Sequence, residues 1–389
     1  MQLLSKQVFV PCRDGRPVFP GFVTYVSATE SVLLHRYGWV DASDTYDDFG
    51  DSYSRDNGLS WSEPVPRLRS HAVPEGRVRY AENAAFFDAD TGKLLTFCSR
   101  GLYPGDHIDV DRRFEVVWDV CDPATDQWRG EEVLPFDLPG GLAISFCFPI
   151  KIKSGKLLVP AMTTPLDEAG KPIHYKGCWA PLHAPLTLIG QYQADGELSW
   201  EMGEAVHTDP EKSSRGFSEN TLAELADGRL VMVMRGDNSA YPERPGYKWH
   251  SFSADEGRTW SDPEPLPFTG GEPIESGSNG SALLRSIRTG KLYWIGNLAL
   301  DGDRADGNWP RSPIVIAEVQ EEPFAVRRET ITAIDRRAAE EPEQTQMSNF
   351  RFYQDRETGD VVVFLSRYGE KDRENWRLAD YYRYRVGVD

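Results

Sequence analysis

Cysteine is scarce in this chain and paired spacing is absent. The five cysteines, Cys12, Cys98, Cys121, Cys147 and Cys178, are odd in number, widely scattered and form no CxxC. That excludes a disulfide framework and a cysteine zinc site, and fits a reducing compartment. The seven histidines show no HxxxH spacing, so no metal is expected, and no cofactor motif calls for a bound cofactor. No run approaches the roughly 20 apolar residues of a membrane helix. The opening residues MQLLSKQVFVPCRDGR lack the apolar segment of a secretory leader, so a cytoplasmic location is expected, with secretion the alternative if a leader has been trimmed.

Basic charge is also in deficit. Forty-three Lys plus Arg face 61 Asp plus Glu, a net charge of −18. Such a surface argues against nucleic-acid or anionic-membrane partners and leaves room only for a local basic pocket. Alanine- and leucine-rich stretches at helical spacing are missing as well, whereas 34 glycines, 27 prolines and 12% aromatics point to many short strands joined by turns. The fold class expected is all-β, and 389 residues without a Gly/Ser or Pro linker fit one domain spanning 1–389.

One unit recurs: strand, turn, strand. Its copies lie at 21–36, 84–100, 148–161, 222–235, 282–297 and 350–367. The turn glycines Gly92, Gly155, Gly228, Gly290 and Gly359 are 63, 73, 62 and 69 residues apart, and Glu30 holds the turn position 62 before Gly92. Six hairpins at that period predict six four-stranded blades of a β-propeller. Closure predicts that Gln7–Val10 pairs with the C-terminal strand around 380–386.

A second repeat falls between hairpins. Ser54-Arg55-Asp56-Asn57-Gly58-Leu59-Ser60-Trp61 and Ser253-Ala254-Asp255-Glu256-Gly257-Arg258-Thr259-Trp260 share S-x-D-x-G-x-[ST]-W, and weaker echoes end at Trp128 and Trp200. The Asp suits loop closure by side-chain hydrogen bonds, the Gly a positive φ, and the Trp a plug between sheets. This motif resembles the Asp-box of the sialidase superfamily, whose six-bladed propeller the resemblance implies here.

Hairpin symmetry about Asp227-Gly228 makes residues whose numbers sum to about 454 partners, which brings Glu219 against Arg235. The stretch from Ser218 to Arg235 is similar to the sialidase segment whose Glu assists a nucleophilic Tyr and whose Arg grips the substrate carboxylate. The resemblance extends to Arg311 as a second carboxylate-binding Arg and to Arg36 as an accessory one. It implies a general acid in the Asp-rich loop 41–51, with Asp44 and Asp48 as the candidates carried forward beside Asp41 and Asp47. Arg100 and Arg367 end equivalent strands. Arginine's planar fork suits a carboxylate because it makes two parallel charge-assisted hydrogen bonds and stays charged when desolvated.

Two family features are absent. Val18-Phe19-Pro20 stands where the first triad Arg would be, with Arg16 two residues earlier, and Met347 stands where the nucleophilic Tyr would be, with Tyr353 six residues on. Three functions remain open. The first is a sialidase-like glycoside hydrolase removing a terminal sugar, an acidic one among the candidates, with Glu219 and an Asp as its carboxylate pair. The second is a polysaccharide lyase on a uronic-acid glycan using His250 or Tyr80 as base. The third is a carbohydrate-binding propeller without chemistry. A carbohydrate is the expected partner in all three; the oligomeric state is not readable.

Overall fold

The computed structural model describes residues 1–42, 45–107, 112–300 and 302–388. The strands assemble into six antiparallel sheets, which are the six blades that the repeat predicts. Each predicted hairpin is the inner strand pair of one blade. The pairs are Val18–Tyr25 with Leu33–Ala42, Gly76–Asp88 with Lys93–Pro104, Ile150–Lys151 with Leu157–Thr163, Ser218–Glu224 with Leu230–Arg235, Ala282–Arg285 with Leu292–Asn297, and Arg351–Gln354 with Val361–Ser366. All five turn glycines adopt positive φ, between 68° and 90°, the conformation that glycine alone takes without steric cost.

Contacts divide the chain into two compact units, Met1–Leu134 with Arg337–Asp389 and Pro135–Arg336. The first holds blades one, two and six; the second holds blades three, four and five. In the first unit the N-terminal strand Gln2–Val10 pairs with Tyr381–Gly387, with Gln7 opposite Arg383 and Val8 opposite Tyr382, so the last blade takes its outer strand from the opposite terminus as the sequence predicts. Phe9 then inserts its ring among His35, Tyr37, Trp61, Phe364 and Tyr381, with centroids 5.0–6.5 Å away.

Apolar residues on the faces of neighbouring sheets interdigitate to form the cores. In the second unit Leu222, Met232 and Met234 meet Ile189 and Leu158, and Val231 and Val233 meet Leu283, Trp294 and Val315. The Asp-boxes close the turns before the outermost strands. Ser54 Oγ accepts from the Gly58 N–H at 2.8 Å and donates to Asp56 at 2.8 Å, while Asp56 accepts from the Ser60 N–H at 2.8 Å. Ser253, Asp255, Gly257 and Thr259 repeat this set of bonds at 2.7–2.9 Å. Trp61 and Trp260 pack against separate inter-sheet cores. No helix among the described residues is long and apolar enough to cross a membrane.

Candidate active site

The inner strand of the fourth blade begins with a β-bulge. From Thr221 to Glu224 the pairs sum to 454, as the symmetry predicts, but Ser218 rather than Glu219 lies opposite Arg235. Two residues, Glu219 and Asn220, therefore face one, Met234. The extra residue forces Glu219 to φ +47°, a left-handed backbone that a glutamate adopts only under constraint and that concentrates at functional sites. The bulge re-aims the side chain while keeping it beside Arg235, whose Nη1 donates to Glu219 Oε1. The other oxygen, Oε2, is buried and accepts no hydrogen bond.

Around this carboxylate stand four cations. Arg235 ends its strand, and Lys248, opposite it in the register, starts the next. Lys248 is fully buried and donates from Nζ to Asn279 Oδ1 at 2.9 Å and to the Asn279 carbonyl. Arg311 is anchored on the Asn308 and Ser278 carbonyls, both at 3.1 Å. Arg215, 5% exposed, pairs with Asp237 at 2.6 Å and reaches Asn308 Oδ1 at 3.3 Å. Ser278 Oγ donates to Asp237 at 2.8 Å. Four cations thus face two carboxylates, Glu219 and Asp237.

The electrostatics follow from that excess. Burial favours the neutral form of Glu219, but Arg235, Arg311 and Lys248 outweigh it and hold the carboxyl below its usual range. Lys248 is pushed down to about 7 by burial, with Arg235 and Arg311 adding to the shift against the pull of Glu219. Glu219 is therefore the ionised member of any acid–base pair: a base or nucleophile, not an acid. The surplus of positive charge suits an anionic substrate group.

The other candidates are placed differently. Arg36 is 2% exposed and gives Nε and Nη2 to Asp51 at 2.7 and 2.9 Å. The two donors that would grip a substrate carboxylate are thereby occupied, so Arg36 is corrected to a buried structural pair. His250 is likewise a packing residue. Its ring lies between Phe252 and Phe324, Nδ1 is bound to the Glu264 carbonyl at 3.0 Å, and burial lowers its pKa. Arg100 forms half-exposed ion pairs with Glu115 and Glu131, and Arg367 is engaged by Glu341 and Glu370. Asp48 is exposed on the strand Thr45–Ser54, opposite Arg69; Asp44 lies outside the described residues. Met347 is fully buried. Tyr353 packs against Tyr25 and Phe364, and burial raises its pKa far above the ordinary phenol value.

The sequence reading missed Lys248, Arg215 and Asp237 in the second unit, and Arg351 with Glu82 in the first. Arg351, 2% exposed, bonds Glu82 at 2.7 Å and the Gly21 carbonyl at 2.5 Å. Glu82 occupies the bulge of the second blade, where Ala81 and Glu82 face Ser99. A signal existed: Glu82-Asn83 and Glu219-Asn220 share a dipeptide ten and nine residues ahead of Gly92 and Gly228. Among the described residues no group of three or more His, Cys, Asp or Glu could hold a metal ion.

A family model described as a BNR repeat-like domain matches residues 51–323. The chain belongs to the BNR repeat-like domain family. Solved structures extend this likeness to the whole BNR repeat-like chain. The Ruminococcus gnavus intramolecular trans-sialidase, crystallised with oseltamivir carboxylate, aligns with a TM-score of 0.67 at 13% identity, covering 100% of this chain and 98% of that one. A K499G mutant of the NanB sialidase from Streptococcus pneumoniae gives 0.64 at 13% identity, over 98% and 70%. The α-L-arabinanase of Penicillium chrysogenum, complexed with arabinobiose, gives 0.58 at 12% identity, over 99% and 98%. These likenesses show the fold alone, a six-bladed β-propeller. No curated protein matches the chain in sequence.

Proposed function

We propose that this protein is a glycoside hydrolase that removes a terminal sugar carrying an anionic group, with Glu219 as its ionised carboxylate. The observation that carries the reading is Glu219 itself: a glutamate held in a left-handed bulge, one oxygen on Arg235 and the other buried without a partner, amid a surplus of cations. A buried, unsatisfied carboxylate oxygen costs stability, and a ligand hydroxyl or water that donates to it removes that cost. Arg235 and Arg311 bind the anionic group, and Lys248 keeps the pocket positive.

Glu219 then either takes the proton of an attacking water, which inverts the anomeric centre, or attacks the anomeric carbon itself, which retains it after hydrolysis of the intermediate. Protonation of the leaving oxygen by a general acid completes the step. Support for hydrolysis over lyase chemistry comes from His250, whose ring packs against Phe252 and Phe324 with Nδ1 bound to the Glu264 carbonyl, and from glycosidase neighbours of the same fold.

The test is release of aglycone from a panel of chromogenic glycosides of acidic and neutral sugars. Acidic glycosides are expected to turn over, with product stereochemistry followed by proton NMR. Ultraviolet-absorbing unsaturated products would establish a lyase instead, and saturable binding across a glycan panel with no turnover would establish a binding propeller.

A further inference from the structure

The first unit contains a cavity that takes no part in the site at Glu219. Its volume is about 300 Å³, and it lies between the strand Val65–Arg69 of the first blade and the second blade. Leu68, Phe97, Val117 and Trp118 supply its apolar lining, and Tyr80 and Glu131 are among its polar groups. The volume sits at the lower end of small-molecule pockets, which run from about 300 to 1,000 Å³, and matches a ligand of one or two sugar rings.

Its charge is what selects a ligand. Arg36 is engaged by Asp51, and Glu131 Oε1 accepts from Arg100 and, at 3.5 Å, from the Tyr80 hydroxyl. Asp119 accepts from the Val120 and Gly130 N–H groups at 2.8 and 3.0 Å. The Arg67 guanidinium lies over Trp128, 3.7 Å from the ring centroid, and spends a single donor on Asp119 at 3.4 Å. Arg69 is exposed; its carbonyl meets His71 Nδ1 at 3.5 Å and its backbone pairs with Asp48, while its guanidinium makes no hydrogen bond or ion pair among the described residues. Two guanidiniums with spare donors therefore line one cavity on a protein of net charge −18.

We infer that this cavity between the first two blades is a second carbohydrate site, taking a hexuronate. The sugar carboxylate bridges Arg67 and Arg69, the ring lies along Leu68, Phe97 and Val117, and hydroxyls reach Glu131 and the Tyr80 hydroxyl. The cavity is lined by none of the residues placed around Glu219.

Calorimetric titration with D-glucuronate, D-glucose and acetate tests this. D-Glucuronate is expected to bind saturably, with D-glucose and acetate each weaker by about tenfold or more, because each lacks one half of the recognition. Arg69→Gln, at an exposed position that leaves folding intact, is expected to weaken D-glucuronate by about tenfold, with Arg67→Gln acting in the same direction. Glu219→Gln should leave this binding unchanged, which separates the inference from the proposed hydrolase. Absence of saturable D-glucuronate binding, equal affinity for acetate, unaltered binding by Arg69→Gln, or loss of binding in Glu219→Gln would each overturn it.

Discussion

Glu219 accepts a hydrogen bond from Arg235 through Oε1 while its second carboxylate oxygen stays buried and unpartnered. Both side chains are about one-sixth exposed, at 15% and 16%, so the pair is largely desolvated, where its loss is felt more than at a surface.

Arg235→Leu is accordingly expected to destabilise the fold by about 3 kcal/mol, because Glu219 loses the cation that it touches and retains Lys248, Arg311 and Arg215 at longer range. Urea unfolding would show this as a lower midpoint at unchanged m-value. A midpoint equal to that of the wild type would mean that the pair contributes nothing to the folded state.

Lys248 gives the site a pH dependence. Its folded value, about 7, lies below the ordinary lysine value of 10.5, so between these the unfolded chain holds the proton that the folded chain has shed. Stability therefore rises as pH climbs from about 7 towards 10.5 and is lowest, on this account, below 7. Anionic substrate, in contrast, should bind more weakly as Lys248 loses its charge, so KM is expected to rise above pH 7. Lys248→Met should flatten both profiles, measured by denaturant titration and by steady-state kinetics across that range.

The Asp-boxes should matter to stability alone. Ser54→Ala and Ser253→Ala each remove a buried hydroxyl that bonds both the Asp and the Gly of its box, at an expected cost of about 1–2 kcal/mol. Asp56, lowered to about 2 by its bonds to Ser60 and Ser54, contributes stability that is present above the usual carboxylate range and lost as pH falls towards 2. Thermal melts of both variants should shift downwards, with turnover per folded molecule unchanged.

Deleting residues 1–10 should abolish cooperative folding, since it removes the strand that completes the last blade and the Phe9 ring from its aromatic cluster. Phe9→Ala alone is expected to cost about 2–3 kcal/mol, less than a fully buried Phe because the residue is half-buried. Far-ultraviolet circular dichroism during melting checks both.

The blades were legible because a turn glycine and flanking apolar strands leave a periodic trace, and all five glycines take the positive φ that the pattern requires. The strand borrowed from the N-terminus was legible from the need to close the last sheet. The site was only half legible. Hairpin symmetry brought Glu219 to Arg235, but a one-residue bulge has no composition of its own, and its trace lies in comparing blades: Ser145-Phe146, Ser218-Glu219 and Ser348-Asn349 each place a left-handed residue after a serine. Lys248 was hidden because a lysine opening a strand reads as a solvated end, and only the neighbouring Asn279 and Glu219 make it a buried one. His250 misled for the opposite reason, since a histidine near the predicted site reads as chemistry until the two phenylalanine rings beside it are seen.

The central claim is that the Glu219 carboxylate does chemistry on an anionic glycoside, and kcat for Glu219→Gln on the best chromogenic substrate tests it most directly. The account predicts a fall of about a thousandfold, with the variant folded and still binding the substrate. Turnover equal to that of the wild type would contradict it.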